Sequence, residues 1–266
     1  MEKFTVANEC VTLVCDSQRG ERTVVLLHGY LESLNVWDEL TDILKRELRV
    51  IALDLPGHGV SEVVGEVHSM EFLADVVADV LRQQGVERAT IVGHSMGGYV
   101  AMAFVERHPE MVEGLVMFHS TPYADTEEKR KNREREIKLI QSGKKDTLAA
   151  LSPAQAFAND NVKRFRGDME GLSEQIYITD DDGICALLRG MMAREDRSKV
   201  LSELRAPKLF VFGRKDNYIG ETTAQRMISE NPDAEVVWLE RSGHMGFIEE
   251  EELSAKTLID FVNNIK

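Results

Sequence analysis

The amino-acid sequence predicts an α/β fold, with a mostly parallel, doubly wound sheet and one helical insertion. Three features of the chain lead to this prediction: short apolar runs, amphipathic helical patterns between them, and one long segment with helical patterns alone. Short runs of consecutive apolar residues are typical of parallel strands that are covered on both faces. Strands that alternate with helices imply βαβ crossovers, which bring parallel strands into one sheet.

The predicted strands are short and lie outside the insertion. Residues 4–6 and 11–15 are predicted to form a small N-terminal hairpin, followed by strands at 23–27, 50–53, 89–92, 115–118, 208–212 and 235–239. The clearest predicted helix is 71–84, because apolar residues recur along it at helical spacing and Gly85 can cap its end. The other predicted helices are 97–107, 222–229 and 250–263.

The segment 121–198 departs from this alternation. It contains several helical patterns, internal Gly and Pro residues, and no convincing strand pattern. We therefore predict a core domain formed by residues 1–120 and 199–266, with residues 121–198 inserted as a helical cap. Since the insertion begins after one strand and ends before the next, we expect the cap to lie over the carboxyl ends of the strands.

The 266 residues carry a formal net charge of −14, and 43% of them are hydrophobic. This apolar share supports a large buried core and argues against intrinsic disorder. The excess of acidic residues repels phosphate backbones, so nucleic acid is not an expected partner. The one basic run, 129–133, is interleaved with glutamates. It predicts a solvated helix face with i,i+4 ion pairs, and a surface for a partner protein is the alternative.

The chain has three scattered cysteines, Cys10, Cys15 and Cys185, and no CxxC motif. Three thiols allow one disulfide at most, and unpaired thiols are typical of a reducing compartment. The first residues lack the pattern of a signal peptide, and no apolar run approaches the roughly 18 residues of a membrane span. We therefore expect a cytoplasmic protein without a membrane-spanning segment.

The strongest functional motif is Gly-His-Ser-Met-Gly at residues 93–97, between the predicted strand 89–92 and a predicted helix. In this context a GxSxG motif is typical of a nucleophile elbow. The flanking glycines permit a tight turn that presents the hydroxyl of Ser95 above the sheet. The helix that begins here directs N–H groups towards a developing negative charge. The sequence therefore predicts Ser95 as a nucleophile.

A serine nucleophile needs a base, and the base needs an orienting carboxylate. In elbow enzymes these follow in the order Ser, acid, His. Asp216 follows the strand 208–212, and His244 follows the strand 235–239, so both lie where a parallel sheet gathers its active-site loops. The other place for the acid, residues 119–122, has no carboxylate. We predict Asp216 as the acid and His244 as the base.

An acyl-transfer site also needs two backbone N–H groups for the oxyanion. One is expected from Met96, directly after the nucleophile, and the other from Tyr30, in the loop after the strand 23–27. Gly29 in that loop permits a close approach to the substrate. Structural roles, rather than catalytic ones, are predicted for three histidines near these motifs: His28, His58 and His94.

These motifs make the chain similar to the α/β-hydrolase fold superfamily over essentially its whole length. The matching segments are LLHGY (26–30), DLPGHGVS (54–61), GHSMGG (93–98), FGRKD (212–216) and SGH (242–244). The segment 188–197 also resembles the end of the cap in small esterases and enol-lactonases. The resemblance implies a cofactor-free serine hydrolase with the triad Ser95, Asp216 and His244. The chain departs from the family in residues 217–220, where a proline often follows the acid.

The sequence thus predicts a carboxylesterase-like hydrolase that forms an acyl-enzyme with a small, neutral or apolar substrate. A multiply anionic substrate would be repelled by the acidic chain. A lactonase, a carbon–carbon bond hydrolase and a slow-turnover small-molecule receptor on the same fold are the alternatives. No HExxH, paired CxxC or Gly-rich nucleotide motif occurs, so neither a metal nor a cofactor is expected. The expected partner is the small-molecule substrate, and homo-oligomer formation stays open.

Overall fold

Eight strands form a single sheet in the computed structural model, which describes all residues from 1 to 266. The strands are β1 Glu2–Ala7, β2 Cys10–Asp16, β3 Thr23–Leu27, β4 Arg49–Leu53, β5 Ala89–His94, β6 Val112–Phe118, β7 Lys208–Gly213 and β8 Glu235–Leu239. Their order across the sheet is β1-β2-β4-β3-β5-β6-β7-β8. Strand β2 is antiparallel to both its neighbours, β1 and β4, and all other strand pairs are parallel. The predicted α/β fold class is confirmed.

The helices connect these strands and also fill the predicted insertion. They are α1 Asp38–Leu44, α2 Met70–Gln83, α3 Met96–Arg107, α4 Glu127–Gln141, α5 Lys145–Ala156, α6 Arg166–Ile178, α7 Asp181–Ala193, α8 Ser198–Glu203, α9 Glu221–Glu230, α10 Gly246–Glu249 and α11 Glu251–Asn264. None of them combines the length and the apolar character that crossing a membrane requires. Every strand and helix that the sequence predicts by range is present, and the short helices α1, α8 and α10 are additions.

The central strand β3 shows how the sheet is buried on both faces. Its five residues are all inaccessible or nearly so. Val25 and Leu27 belong to one apolar cluster, which includes the inner faces of α2 and α3. Val24 and Leu26 belong to a second cluster, which includes the inner faces of α1 and α11. Because successive strand residues point to opposite faces, helices cover both sides of the sheet.

The segment between β6 and β7 is helical throughout its regular structure. It carries α4, α5, α6, α7 and α8, and no strand interrupts them. Helices α5 and α6 pack on each other, as do α4 and α7. Residues from four of these helices, α4 to α7, line a cavity that residues at the ends of β3 and β5 also line. This cavity is the place where the predicted site residues meet the helical segment.

Candidate active site

Ser95 lies on the turn between β5 and α3 with a strained backbone. Its φ is 51° and its ψ is −115°, a conformation that residues other than glycine rarely adopt. Three hydrogen bonds hold the turn. The Ser95 N–H donates to the carbonyl of Phe118 at 3.1 Å, and the Ser95 carbonyl accepts from the Gly98 N–H at 3.0 Å and from the Ser120 hydroxyl at 2.6 Å. The turn is therefore fixed to β6 as well as to α3.

Glycines flank Ser95 because neighbouring backbone approaches the turn closely. A Cβ on Gly97 would lie 2.1 Å from the carbonyl oxygen of Leu27, at the end of β3. A Cβ on Gly93 would lie 2.4 Å from the carbonyl oxygen of Gly97. Both distances are far inside van der Waals contact, so a larger residue requires the start of α3 to move. The predicted need for glycine thus has a steric cause at these positions.

Asp216 follows β7, and both oxygens of its carboxylate accept hydrogen bonds. Its Oδ1 accepts hydrogen bonds from the backbone N–H groups of Tyr218 and Ile219 at 2.7 and 3.0 Å. Its Oδ2 accepts from Nδ1 of His244 at 2.8 Å and from Nδ1 of His119 at 3.0 Å. Burial alone would raise its pKa, but the electrostatic interaction with His244 and the hydrogen bonds from both imidazoles hold the pKa of Asp216 far below its usual range. The carboxylate therefore stays ionised.

Asp216 is held firmly although the proline that often follows the acid is absent. The N–H groups of Tyr218 and Ile219, which lie in the departing segment 217–220, both point to the carboxylate. Proline at either position would remove one of these donors. The departure from the family pattern is thus compatible with a firmly held Asp216.

His244 lies in the loop after β8 and contacts three parts of the molecule. Its Nδ1 donates to Asp216, and its ring lies 4.8 Å from the ring of Tyr218 between centroids. Its backbone N–H donates to the carbonyl of Ala156 at 2.7 Å, at the end of α5. Its backbone carbonyl accepts from Nε2 of His94 at 2.9 Å. With Nδ1 donating, Nε2 is the nitrogen left to accept a proton.

His119 is a buried neighbour of Asp216 that the sequence interpretation did not assign. It follows β6 directly, with φ at 48°, and its side chain is inaccessible to solvent. Burial lowers its pKa to about 4, although the hydrogen bond to Asp216 opposes the shift, so the imidazole is neutral near pH 7. Its Nε2 has no hydrogen-bond partner in the protein. One ligand atom each from His119, Asp216 and His244 lies within 4.8 Å of the others, a closeness that the two N–H···O bonds explain.

The two residues whose amides are expected to bind an oxyanion line the same cavity as Ser95. Neither the Tyr30 N–H nor the Met96 N–H donates to any acceptor in the protein. Ser95, His244, Tyr30 and Met96 all line one cavity of about 410 Å³. The structure therefore brings the predicted site residues to one cavity, with Asp216 buried behind His244.

The loop that carries Tyr30 is held by histidines. Nε2 of His28 accepts from the Leu55 N–H at 2.9 Å, and Nε2 of His58 accepts from the Leu31 N–H at 2.7 Å. An imidazole that accepts a hydrogen bond is neutral, and burial lowers the pKa of both His28 and His58. These contacts fit the structural roles that the sequence suggests for the two residues.

The opposite wall of the cavity comes from the helical segment. Its apolar part consists of side chains from α5, α6 and α7, among them Leu148, Leu172, Ile176 and Met191. Its polar part is one face of α4, formed by Lys129, Asn132, Arg133 and Glu136. The expectation of a fully solvated face for the basic run 129–133 is therefore wrong in part. The residues that line the cavity recur at helical spacing, while Lys131 on the other face pairs with Glu127 at 3.3 Å.

Two charged residues of α4, Arg133 and Glu136, are half-buried at the cavity and have partners there. Nε of Arg133 donates to Asp125 at 2.6 Å, and Arg194 also reaches Asp125, at 2.8 Å. Glu136 accepts a hydrogen bond of 2.6 Å from the Tyr30 hydroxyl. Burial raises the pKa of Glu136. The hydrogen bond from Tyr30 ties α4 to the loop that carries one of the free amides.

Comparison with known proteins gives the family. The sequence model of the Alpha/beta hydrolase family matches residues 24–256 of the chain. The chain belongs to the alpha/beta hydrolase family. Two similar proteins are the pimeloyl-[acyl-carrier protein] methyl ester esterase of Aeromonas hydrophila, 27% identical over 90% of this chain and 94% of that protein, and the 2-hydroxy-6-oxononadienedioate/2-hydroxy-6-oxononatrienedioate hydrolase of Paraburkholderia phymatum, 29% identical over 93% and 89%.

Solved structures agree with this assignment at the level of the fold. A thermophilic esterase from Thermogutta terrifontis superposes with a TM-score of 0.94 and 23% sequence identity, covering 100% of this chain and 99% of that one. The resemblance inferred from the sequence motifs is thus confirmed, and the relatives support a hydrolase. The sequence motifs of this α/β hydrolase did not identify His119. Its position directly after β6 is the signal that points to it, because the ends of the parallel strands converge there.

Proposed function

We propose that this α/β hydrolase is a serine hydrolase that cleaves a carboxylic ester or a related acyl bond through an acyl-enzyme. The observation that carries the proposal is the 2.8 Å hydrogen bond from His244 Nδ1 to the ionised Asp216, beside the cavity that His244 shares with Ser95. This bond leaves Nε2 of His244 free to take a proton from the Ser95 hydroxyl.

The proposed reaction has two halves. His244 takes the proton of the Ser95 hydroxyl while Oγ attacks the carbonyl carbon, and the oxyanion is bound by the amides of Tyr30 and Met96. The intermediate collapses, His244 gives its proton to the departing alkoxide, and the alcohol leaves an ester on Ser95. Water then attacks this ester, giving its proton to His244, and the second intermediate releases the carboxylic acid as the proton returns to Ser95. Asp216 orients the imidazole and stabilises it when charged.

The cavity supports a small acyl substrate. Its volume of about 410 Å³ is at the small end of ligand pockets, and Leu148, Leu172 and Ile176 give it an apolar wall. We propose that residues 121–198 act as a cap that selects neutral or apolar acyl groups, while the core of residues 1–120 and 199–266 supplies the chemistry. The three free cysteines support the proposal of a reducing, cytoplasmic location.

Carbon–carbon bond hydrolysis is a second candidate for the same site. It is favoured by one observation, the 29% identity to a protein named as a 2-hydroxy-6-oxononadienedioate/2-hydroxy-6-oxononatrienedioate hydrolase. A screen of esters of increasing acyl length, lactones and vinylogous diketones distinguishes the two reactions. The highest kcat/KM on a simple ester supports the esterase, and the highest kcat/KM on a vinylogous diketone supports the second candidate.

The nucleophile is tested by labelling with a serine-directed phosphonate and by Ser95→Ala, assayed on p-nitrophenyl acetate. We expect label on Ser95 and a fall in kcat of several orders of magnitude, up to about 10⁶-fold. Ser152 lines the same cavity and is the matched control, so Ser152→Ala retains most of the activity and the label stays on Ser95. Full activity of Ser95→Ala contradicts the proposal, and a burst without steady-state turnover on every substrate indicates a receptor instead.

A further inference from the structure

A second buried pair of histidine and carboxylate lies behind the nucleophile turn. His94 is the last residue of β5, directly before Ser95, and Glu32 lies in the loop after β3, two residues beyond Tyr30. Nδ1 of His94 lies 3.1 Å from Oε2 of Glu32. The His94 side chain is inaccessible and the Glu32 side chain is 8% exposed. The proposed triad uses neither residue.

This pair continues at both ends into the backbone of the proposed catalytic loops. Oε2 of Glu32 also accepts a hydrogen bond of 2.6 Å from the N–H of Gly29, next to Tyr30. Nε2 of His94 lies 2.9 Å from the backbone carbonyl oxygen of His244. One chain of hydrogen bonds therefore runs from the loop of the proposed oxyanion amide, through His94 at the end of β5, to the backbone of the proposed base.

The partners of His94 define its protonation. A backbone carbonyl only accepts hydrogen bonds, so Nε2 of His94 carries a proton. Nδ1 faces a carboxylate oxygen that already accepts from Gly29, and a second donor suits that oxygen. Burial opposes charge on both side chains, yet the charge and hydrogen bond of Glu32 raise the pKa of His94, and His94 lowers the pKa of Glu32. Both shifts agree with an imidazolium paired with a carboxylate.

The other titratable groups near His94 leave this pairing intact. The rings of His244 and His119 lie 4.9 and 6.1 Å away between centroids, and Asp216 on the loop after β7 favours the charged form. His28, on the same loop as Glu32, is neutral because it accepts a hydrogen bond from a backbone N–H. The rings of Trp37 and Phe247 also pack edge-on against the His94 ring, and neither of them titrates.

We propose that Glu32 and His94 form a buried ion pair that positions the oxyanion amide of Tyr30 and the base His244 relative to Ser95. The inference rests on the proposed function and adds two positioning residues to it. Loss of the pair frees the Gly29 N–H and the His244 carbonyl together. Displacement of catalytic groups by about 1 Å costs on the order of 10²-fold in rate, so the effect falls on kcat more than on KM.

The direct test is nitrogen NMR of isotopically labelled histidine in the wild-type chain and in Glu32→Gln. We expect the His94 imidazole to be protonated on both nitrogens near pH 7 in the wild type and neutral in Glu32→Gln. Oε2 of Glu32 serves both Gly29 and His94, whereas a glutamine amide places either an oxygen or an NH₂ group there. Glu32→Gln therefore keeps one of these two contacts and a side chain of nearly the same shape while the charge is lost. Glu136→Gln removes a half-buried carboxylate at the same cavity and is the control that keeps the His94 signal.

Kinetics provide the second readout on the same proteins. We expect Glu32→Ala and His94→Leu to lower kcat about 10²-fold, while Glu32→Gln and His94→Gln, which retain one polar partner, lower it by less than about tenfold. A neutral His94 in the wild type, or equal kcat values for Glu32→Ala and the wild type, overturns the proposal. The NMR result is independent of turnover, so a failure of Ser95→Ala to lose activity refutes the proposed reaction and not the ion pair. If His94→Leu does not fold, the kcat of Glu32→Ala and the wild-type spectrum still test the ion pair.

Discussion

The two walls of the cavity are built on different principles. On the sheet side, each polar group of the proposed mechanism follows the end of a strand: Tyr30 after β3, Ser95 after β5, Asp216 after β7 and His244 after β8. Backbone hydrogen bonds fix these positions. On the helical side, residues of α4 to α7 line the cavity, and the carbonyl of Ala156 at the end of α5 also accepts a hydrogen bond from the backbone of His244. We therefore expect the chemistry to depend on positions that the sheet fixes, and selection among substrates to depend on side chains of the helical wall that a mutation can exchange.

After the loss of the nucleophile itself, the largest effect on kcat is expected where the sheet wall holds its acid. In Asp216→Asn, an amide N–H faces Nδ1 of His244 and favours the tautomer protonated on Nε2, which cannot accept the serine proton. We expect kcat to fall by about 10⁴-fold with the fold retained. Steady-state kinetics on the best ester provide the measurement. Asp160→Asn, an exposed carboxylate paired with Lys215, is the control that keeps wild-type activity. A loss of less than about tenfold in Asp216→Asn contradicts the assigned role.

Alanine substitutions at one glycine in each wall are expected to change the free energy of unfolding in opposite directions. Gly97 supports the nucleophile turn, and its Cβ would lie 2.1 Å from the Leu27 carbonyl oxygen, whereas a Cβ on Gly171 in α6 would meet nothing within 4 Å. We expect Gly97→Ala to lower the free energy of unfolding by about 3 kcal/mol, and Gly171→Ala to raise it by about 0.5–1 kcal/mol through helix propensity. Denaturant titration measures both values. Equal stabilities for the two variants would show that the close approach at Gly97 is not required.

The third prediction uses the buried histidine of the sheet wall. The pKa of His119 is lowered from 6.5 to about 4 by burial, so the unfolded chain binds more protons between these values. The contribution of His119 to the free energy of unfolding is therefore complete above about pH 6.5 and is lost as the pH falls towards 4. His119→Asn keeps an N–H near Asp216, tolerates the φ of 48°, and does not titrate.

Unfolding free energies measured near pH 7 and pH 4.5 test this prediction. Between these pH values we expect the wild type to lose about 2 kcal/mol more than His119→Asn. All other titrating groups are common to the two proteins, which isolates the contribution of one imidazole. Parallel pH profiles for the two proteins would mean that His119 is protonated in the folded state or titrates normally.

The sequence alone predicts the features of the sheet wall that are local in the chain. Strands such as β3 and β5 are predicted because their burial on both faces appears as consecutive apolar residues. Ser95, Asp216 and His244 are predicted because each lies in a short motif beside a strand end. These motifs carry local information only, and the roles assigned to them stay predictions.

What the sequence does not predict are contacts between residues far apart in the chain. The hydrogen bond of His119 to Asp216 joins neighbouring strands β6 and β7, which the helical segment separates along the chain. The pairing of Glu32 with His94 depends in the same way on the approach of two strand ends. The face of α4 at the cavity is hidden because its charged composition is also typical of a solvated helix. Composition alone does not tell which face a tertiary contact covers.

The smallest effect is expected on the helical wall, where one side chain is exchanged at a time. Leu148 of α5 lines the cavity, and Leu151 of the same helix is 56% exposed. In Leu148→Phe the larger ring occupies space that a long acyl chain needs, so kcat/KM for long esters falls relative to short ones by about tenfold, or ~1.4 kcal/mol. The ratio of kcat/KM values across a series of acyl lengths gives the measurement, and Leu151→Phe leaves that ratio unchanged. Because the sheet wall is untouched, the rate of phosphonate labelling at Ser95 stays within about twofold of the wild type in both variants. If instead Leu148→Phe slows every substrate and the label equally, the helical segment contributes to the chemistry, and the division of labour between the two walls does not hold.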